Sequence, residues 1–170
     1  MKIAYIGTRG IPPNYGGSET YVEQMALHLA AKGDDVWVYG SPLPAGDPLC
    51  DQVNAYPRNI RRVEIPSFKA KHLDNLLRTL LATIHVSTKR EIELVEFVNL
   101  GSSLFSFIPR LFGKKVVGSI RALDSRREKW GLFSRLYLRV CERLIYMLPN
   151  VTTTNSEAIV DYYQNRYGVN

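Results

Sequence analysis

The segment Gly7 to Thr20, GTRGIPPNYGGSET, carries the densest chemistry in the sequence. Gly7, Gly10, Gly16, Gly17 and the pair Pro12-Pro13 punctuate it, while Thr8, Arg9, Asn14, Tyr15 and Glu19 supply polar and charged groups. The apolar run KIAYI at 2–6 leads into it, and a helical pattern leaves it. A loop that joins the C-terminal end of a strand to the start of a helix gathers backbone N–H groups and the positive end of the helix dipole, and open α/β sheets bind anionic ligands there. Gly16-Gly17 lets the backbone approach a diphosphate with no Cβ in the way. Nine residues separate Gly7 from Gly17 and no Lys follows, so neither the GxGxxG dinucleotide loop nor the P-loop ending in GK[ST] fits. Turn geometry is the ordinary use of a glycine pair, but it leaves the long polar loop at this place without a reason.

A second cluster, Arg121, Asp124, Arg126, Arg127, Glu128 and Lys129, follows the apolar run KKVVGSI at 114–120. If that run is a parallel strand, both clusters open at the same edge of the sheet. Arginine forks suit phosphate and carboxylate, and a lysine adds a point charge. A solvated, charged helix start is the plainer reading of the same residues, with Asp124 paired to Arg127. His28, His72 and His85 have no second ligand at metal spacing, and Cys50 and Cys141 form no CxxC, so no metal site or disulfide framework is expected.

The elements that must position these residues follow from periodicity. KIAYI (2–6) and DVWVY (35–39) read as buried parallel strands. Between them Val22, Met25, Ala26, Leu29 and Ala30 fall at helical spacing, with Ser18 or Thr20 to cap the start and Gly33 to stop the end. The proline-rich stretch 41–60 reads as a long surface connection before a short strand, RRVEI at 61–65. Leu73, Leu76, Leu77, Leu80, Leu81 and Ile84 line one face of a helix, read as its core face, with Lys69, Lys71 and Arg78 off that stripe. ELVEFV (93–98), a small helix near 102–111, the strand 114–120, a long amphipathic helix through Phe133 to Leu148, VTTT, and a closing helix opened by Ser156 complete the pattern. Six strands alternating with helices predict an α/β fold, Rossmann-like and doubly wound, with a mostly parallel sheet. The 170 residues suffice for one domain with a real core.

On these residues a family resemblance can be named. GTRGIPPNYGGSETYVEQMALHLAAKGDDVWVYG resembles the opening of the family-4 retaining glycosyltransferases of GT-B fold, in particular a rhamnosyltransferase-like subgroup that begins GTRGIP-x-x-YGG-x-E-T. KKVVGSIRALDSRREKW at 114–130 and NSEAIVDYY from Asn155 extend the likeness over nearly the whole chain. The resemblance implies an N-terminal, acceptor-side domain spanning residues 1–170, with the donor-binding C-terminal domain absent from this chain. It implies that Gly16 and Gly17 face the donor diphosphate of a nucleotide sugar, and that Arg9, Tyr15, Glu19, Arg121, Arg127 and Lys129 hold a saccharide or lipid-linked acceptor. It implies no metal and no other cofactor. Asp124 keeps an acidic group where the family has one, able to orient an acceptor hydroxyl or take its proton. The chain departs from the pattern where Arg121 replaces the usual His or Asp, Ala122 the Gly, and Ser125 the Trp.

Composition bounds the rest. Hydrophobic residues are 45% and charged residues 22%, near the soluble average, and no stretch is long and apolar enough to span a membrane. The opening MKIAYIG lacks the regions of a signal peptide, so a cytoplasmic protein is expected, peripheral on the inner face of the plasma membrane. A net charge of +6 favours an anionic partner, and the basic face of Lys69, Lys71 and Arg78 is read as able to lean on an anionic membrane surface. Arginines at a sheet edge without interleaved aromatic platforms disfavour nucleic acid. The ending at Tyr167-Gly168-Val169-Asn170 reads as a break within a larger parent protein, so the chain alone is expected not to turn over. A non-catalytic module for phosphorylated sugars or polyprenyl diphosphates is the alternative, and the missing GxGxxG leaves a nicotinamide-dependent oxidoreductase last.

Overall fold

The computed structural model describes residues 1–14, 16–66, 74–121 and 132–168. Its elements are β1 (Lys2–Ile6), α1 (Gly17–Ala31), β2 (Asp35–Gly40), α2 (Leu49–Asn54), β3 (Ile60–Glu64), α3 (Asp74–Thr88), β4 (Leu94–Phe97), a 3-10 segment (Leu100–Phe105), α4 (Phe107–Leu111), β5 (Lys115–Ile120), α5 (Leu132–Met147), β6 (Val151–Thr154) and α6 (Glu157–Tyr167). The six strands form one sheet in the order β3-β2-β1-β4-β5-β6, and every pairing is parallel. Ala4 of β1 lies opposite Trp37 of β2 and Val95 of β4. Strand order therefore reverses between β1 and β4, the switch point at which doubly wound sheets open a ligand crevice. The expected Rossmann-like, doubly wound architecture is the one observed.

Ile3, Ala4, Tyr5 and Ile6 are all buried because helices cover both sheet faces. On one face Ile3 and Tyr5 meet Val22, Ala26 and Ala30 of α1 and Val36 and Val38 of β2. On the other, Ala4 and Ile6 join Trp37, Tyr39, Phe97, Val116 and the α3 residues Ala82 and Val86. Further along that second face, Leu138, Cys141 and Ile145 of α5 pack with Leu100, Ile120 and the α6 residues Ile159 and Tyr163. Gly118 lets α5 settle on β5, since a Cβ there would stand 2.9 Å from the Ile145 carbonyl oxygen and from Pro149. Both cysteines are free, and Cys141 is buried in this cluster.

Three local expectations are corrected. The proline-rich connection holds a turn of helix, α2, which starts because the Asp47 carboxylate accepts the Leu49 N–H at 2.9 Å beside Pro48. Neither Ser18 nor Thr20 caps α1: the N-cap is Gly16 with no side-chain bond. The Thr20 hydroxyl turns back to the Gly16 carbonyl at 3.2 Å and the Ser18 hydroxyl crosses to Asn99.

The largest correction concerns α3. Its buried residues are Arg78, Thr79, Ala82, Thr83, Val86 and Ser87, whereas Leu81 and Ile84 are exposed, at 39% and 47%, and Leu76, Leu77 and Leu80 are only partly covered. Leu73 lies outside the described residues, and the described part of the leucine stripe thus faces away from the sheet. Trp37, Tyr39 and Phe97 already fill the space between sheet and helix, which leaves room for the small side chains of α3. Buried hydroxyls there are satisfied locally, Thr79 donating to the Asn75 carbonyl, Thr83 to that of Thr79 and Ser87 to that of Thr83, at 2.6–2.7 Å.

Candidate functional site

The loop from Gly7 to Gly16 leaves β1 at the switch point and is tied down from four sides. Gly7 has φ +108°, a conformation that glycine adopts without strain, and a Cβ there would strike the Ser102 hydroxyl at 2.7 Å. Its carbonyl accepts from Asn99 Nδ2 at 2.6 Å. The Arg9 carbonyl accepts the Ser41 N–H at 2.9 Å, and Gly40 is required beneath it because a Cβ would lie 2.4 Å from that oxygen. The Ile11 carbonyl accepts from Arg62 Nε at 2.9 Å, while the Ile11 side chain is buried in the α1 cluster. The Arg9 N–H donates to Glu19 Oε1 at 3.3 Å. The described residues of the loop, held this way at Gly7, Arg9 and Ile11, have a fixed course at the sheet edge.

The two glycines of the pair play different parts. A Cβ at Gly16 would meet Glu19 Oε2 at 1.8 Å, so Gly16 makes room for the folded-back Glu19 carboxylate. A Cβ at Gly17 would meet nothing within 4 Å, and Gly17 is exposed at the first turn of α1. With no side chain capping that turn, its amides and the helix dipole face an open approach for an anion. Arg9 is exposed beside them.

Arg121 leaves β5 on the same edge and is built into a polar knot. Its guanidinium carbon lies 3.4 Å over the Tyr21 ring, Nη2 donates to the Ser119 hydroxyl at 2.8 Å, and Nη2 stands 3.9 Å from Glu96 Oε1. Tyr21 donates to the same Glu96 oxygen at 3.0 Å. Burial raises the Glu96 carboxyl above its usual range, against the opposing pull of Tyr21, Ser119 and Arg121, and burial pushes the Tyr21 hydroxyl up to about 12. Only 17% of the Arg121 side chain remains exposed. It supplies a fixed positive charge beside the crevice and has no acid–base role.

Of the residues read from sequence, the structure brings Arg9, Gly16, Gly17 and Glu19 together at the start of α1 and sets Arg121 against that helix through Tyr21. Tyr15, Asp124, Arg127 and Lys129 lie outside the described residues. So do Lys69 and Lys71, and Arg78, expected on a basic face with them, is buried: it pairs with Asp74 at 3.0 Å and donates to the Ser41 hydroxyl. Periodicity missed Asn99, which bridges Gly7 and Ser18. Its one signal is a polar residue placed directly after the apolar run ending at Val98. Among the described residues no cluster of three His, Cys, Asp or Glu could hold a metal, and no helix is long and apolar enough to cross a membrane.

Comparison with known proteins agrees with this fold. No curated protein matches the chain significantly in sequence. Among solved structures, sucrose-phosphate synthase from Thermosynechococcus elongatus superposes with a TM-score of 0.72 at 18% identity, over 98% of this chain and 45% of its own. A lipopolysaccharide outer core galactosyltransferase in its apo form gives 0.57 at 16% identity, over 100% of this chain and 43% of its own. The chain therefore spans less than half the length of either protein, and at these identities the likeness is one of fold. A family model described as Glycosyltransferase Family 4 matches residues 15–170. With most of its length inside that match, the chain belongs to Glycosyltransferase Family 4.

Proposed function

We propose that this chain is the N-terminal, acceptor-side half of a GT-B glycosyltransferase and takes part in sugar transfer from a nucleotide sugar to a saccharide or lipid-linked acceptor in cell-surface polysaccharide synthesis. The observation that carries the reading is the uncapped first turn of α1, where Gly17 faces open space at the switch point. A diphosphate leaving group gains negative charge as the sugar departs, and fixed amides at a helix N-terminus stabilise that charge without reorganising. Membership of the family and a span under half of its structural neighbours support a second, donor-binding domain that would close over this edge. The resemblance of the Gly7–Thr20 segment supports the rhamnosyltransferase-like subgroup. Arg9, Tyr15, Glu19, Arg121, Arg127 and Lys129 are the acceptor-side groups on this reading, with Asp124 as the acid–base residue. Peripheral attachment on the cytoplasmic side fits a lipid-linked acceptor.

The test is transfer of radiolabelled sugar by the parent protein to lipid-linked and free saccharide acceptors. Gly17→Glu places a carboxylate in the space reserved for the diphosphate and should lower transfer about a hundredfold with the melting temperature unchanged. Transfer that survives Gly17→Glu overturns the assignment of this turn.

Arg121 favours a second reading, a binding module for phosphorylated sugars or polyprenyl diphosphates, because a permanent cation held by Tyr21 and Ser119 binds anions and transfers no protons. Micromolar binding of a sugar phosphate by the chain alone, with no turnover by the parent protein, would establish it.

A further inference from the structure

A cavity of about 660 Å³ opens at the N-terminal edge of the sheet, where α3 and α4 end and β4 and β5 begin. That volume falls within the range of small-molecule sites, roughly 300–1,000 Å³. The Gly17 turn lies at the other edge, and the five residues of β1 set the two edges about 16 Å apart. The two places are therefore filled separately.

The lining of the cavity joins an apolar surface to a basic one. Phe112, 61% exposed just past the end of α4, stands there with the buried Ile92 and the partly buried Leu94. Arg90, Lys114 and Lys115 share the lining with a single carboxylate, Glu93, whose Oε1 accepts the Lys2 N–H at 3.0 Å. The ends of α3 and α4 bring orphan carbonyls to this edge, and a helix C-terminus by itself repels an anion. Lys114 answers that field from within. It is only 8% exposed and its ammonium donates to the carbonyls of Lys89 and Ile92, the second at 2.7 Å. Burial lowers the Lys114 ammonium below its usual range, against the pull of Glu91. Arg90 and Lys115 remain exposed, and neither forms an ion pair among the described residues. A guanidinium fork and a point ammonium match the two charges of a phosphate ester, and an exposed aromatic ring matches a flat ring.

We propose that this cavity binds an aromatic organic phosphate, of the size and chemistry of a nucleoside monophosphate, through Arg90, Lys115 and Phe112. Calorimetric titration of the chain with adenosine monophosphate, and with phenyl phosphate, should show saturable binding. Both should bind about tenfold tighter than inorganic phosphate, which lacks the ring, and adenosine monophosphate about tenfold tighter than adenosine, which lacks the charge. Phe112→Ala should weaken adenosine monophosphate about tenfold and leave inorganic phosphate unchanged. Arg90→Gln and Lys115→Gln should each cost about threefold, and Lys115→Arg should keep the binding that Lys115→Gln loses. Each replaced side chain is exposed, so an unchanged melting temperature separates a lost contact from a lost fold. Absence of saturable binding by either probe overturns the proposal, as does adenosine binding as tightly as its monophosphate. So does binding that Gly17→Glu abolishes and that Arg90→Gln with Lys115→Gln leaves intact, which would place the phosphate at the α1 turn. No sugar transfer is measured, so failure here leaves the transferase reading standing, and failure of transfer leaves this one standing.

Discussion

Helices α1 and α3 have the same length and lie on opposite faces of one sheet, yet they use their sequences in opposite ways. α1 turns Val22, Ala26 and Ala30 inward, as their spacing foretells. α3 turns Arg78, Thr79, Ala82, Thr83, Val86 and Ser87 inward and its leucines out. The sheet explains the difference. Beneath α1 the facing residues include Ile3, Tyr5, Val36 and Val38, met by Val22, Ala26 and Ala30, whereas beneath α3 Trp37, Tyr39 and Phe97 stand among them and meet Ala82 and Val86. Helical spacing identifies a stripe, and the volume already filled opposite decides which stripe is buried.

Substitutions can break or sharpen that contrast. The largest effect should come from Val22→Asp, a charge placed in the α1 interface at a fully buried position. We expect a loss of about 3 kcal/mol or more in urea unfolding; a loss under about 1 kcal/mol would mean α1 is not the conventional partner described here. Next in size is Asn99→Ala, which strips the Gly7 carbonyl and the Ser18 hydroxyl of their shared partner. It should cost about 1–2 kcal/mol, and hydrogen exchange in the Gly7–Gly16 loop should quicken; unchanged exchange would free the loop from its assigned tether.

Glu96 tests how α1 is held to β4 through Tyr21. Its folded carboxyl is raised by burial, so the folded chain keeps a proton that the unfolded chain loses near its ordinary value of about 4.3. The contribution is therefore fully present below that value and declines as pH rises toward the folded one. Stability of Glu96→Gln relative to wild type should then increase with pH across this window, and a relative stability that falls or stays level reverses the assigned cause. On α3, Thr83→Val removes a hydroxyl that only closes on the Thr79 carbonyl, and the melting midpoint should move by less than the equivalent of about 1 kcal/mol. Smallest of all, Leu81→Gln should stay within about 0.5 kcal/mol; a loss near that of Val22→Asp would place the leucine stripe in a core after all.

Much of the fold was legible because the signals are local. The runs KIAYI, DVWVY and VTTT became strands with the expected bounds or within a residue of them, and Gly33 ends α1 with φ +87°. Asp47 next to Pro48 was a helix start hidden in a stretch dominated by prolines. In the site, glycine spacing located Gly16 and Gly17, but their division of labour was not legible, since it depends on Glu19 folding back over one and leaving the other open. Glu96 and Tyr21 gave no signal, being an acid in a strand and an aromatic in a helix until the sheet set them 3.0 Å apart.

The sequence by itself determined the alternation of strand and helix, the loop of glycines after β1 and the excess of basic charge, because each rests on neighbours in the chain. Tertiary structure alone decided that Asn99 reaches Gly7 across 92 positions, that Arg121 is held on Tyr21, and that the leucines of α3 face outward. Those outcomes depend on which surfaces meet and how much volume they have already filled, a property of the packed layers that no single segment encodes.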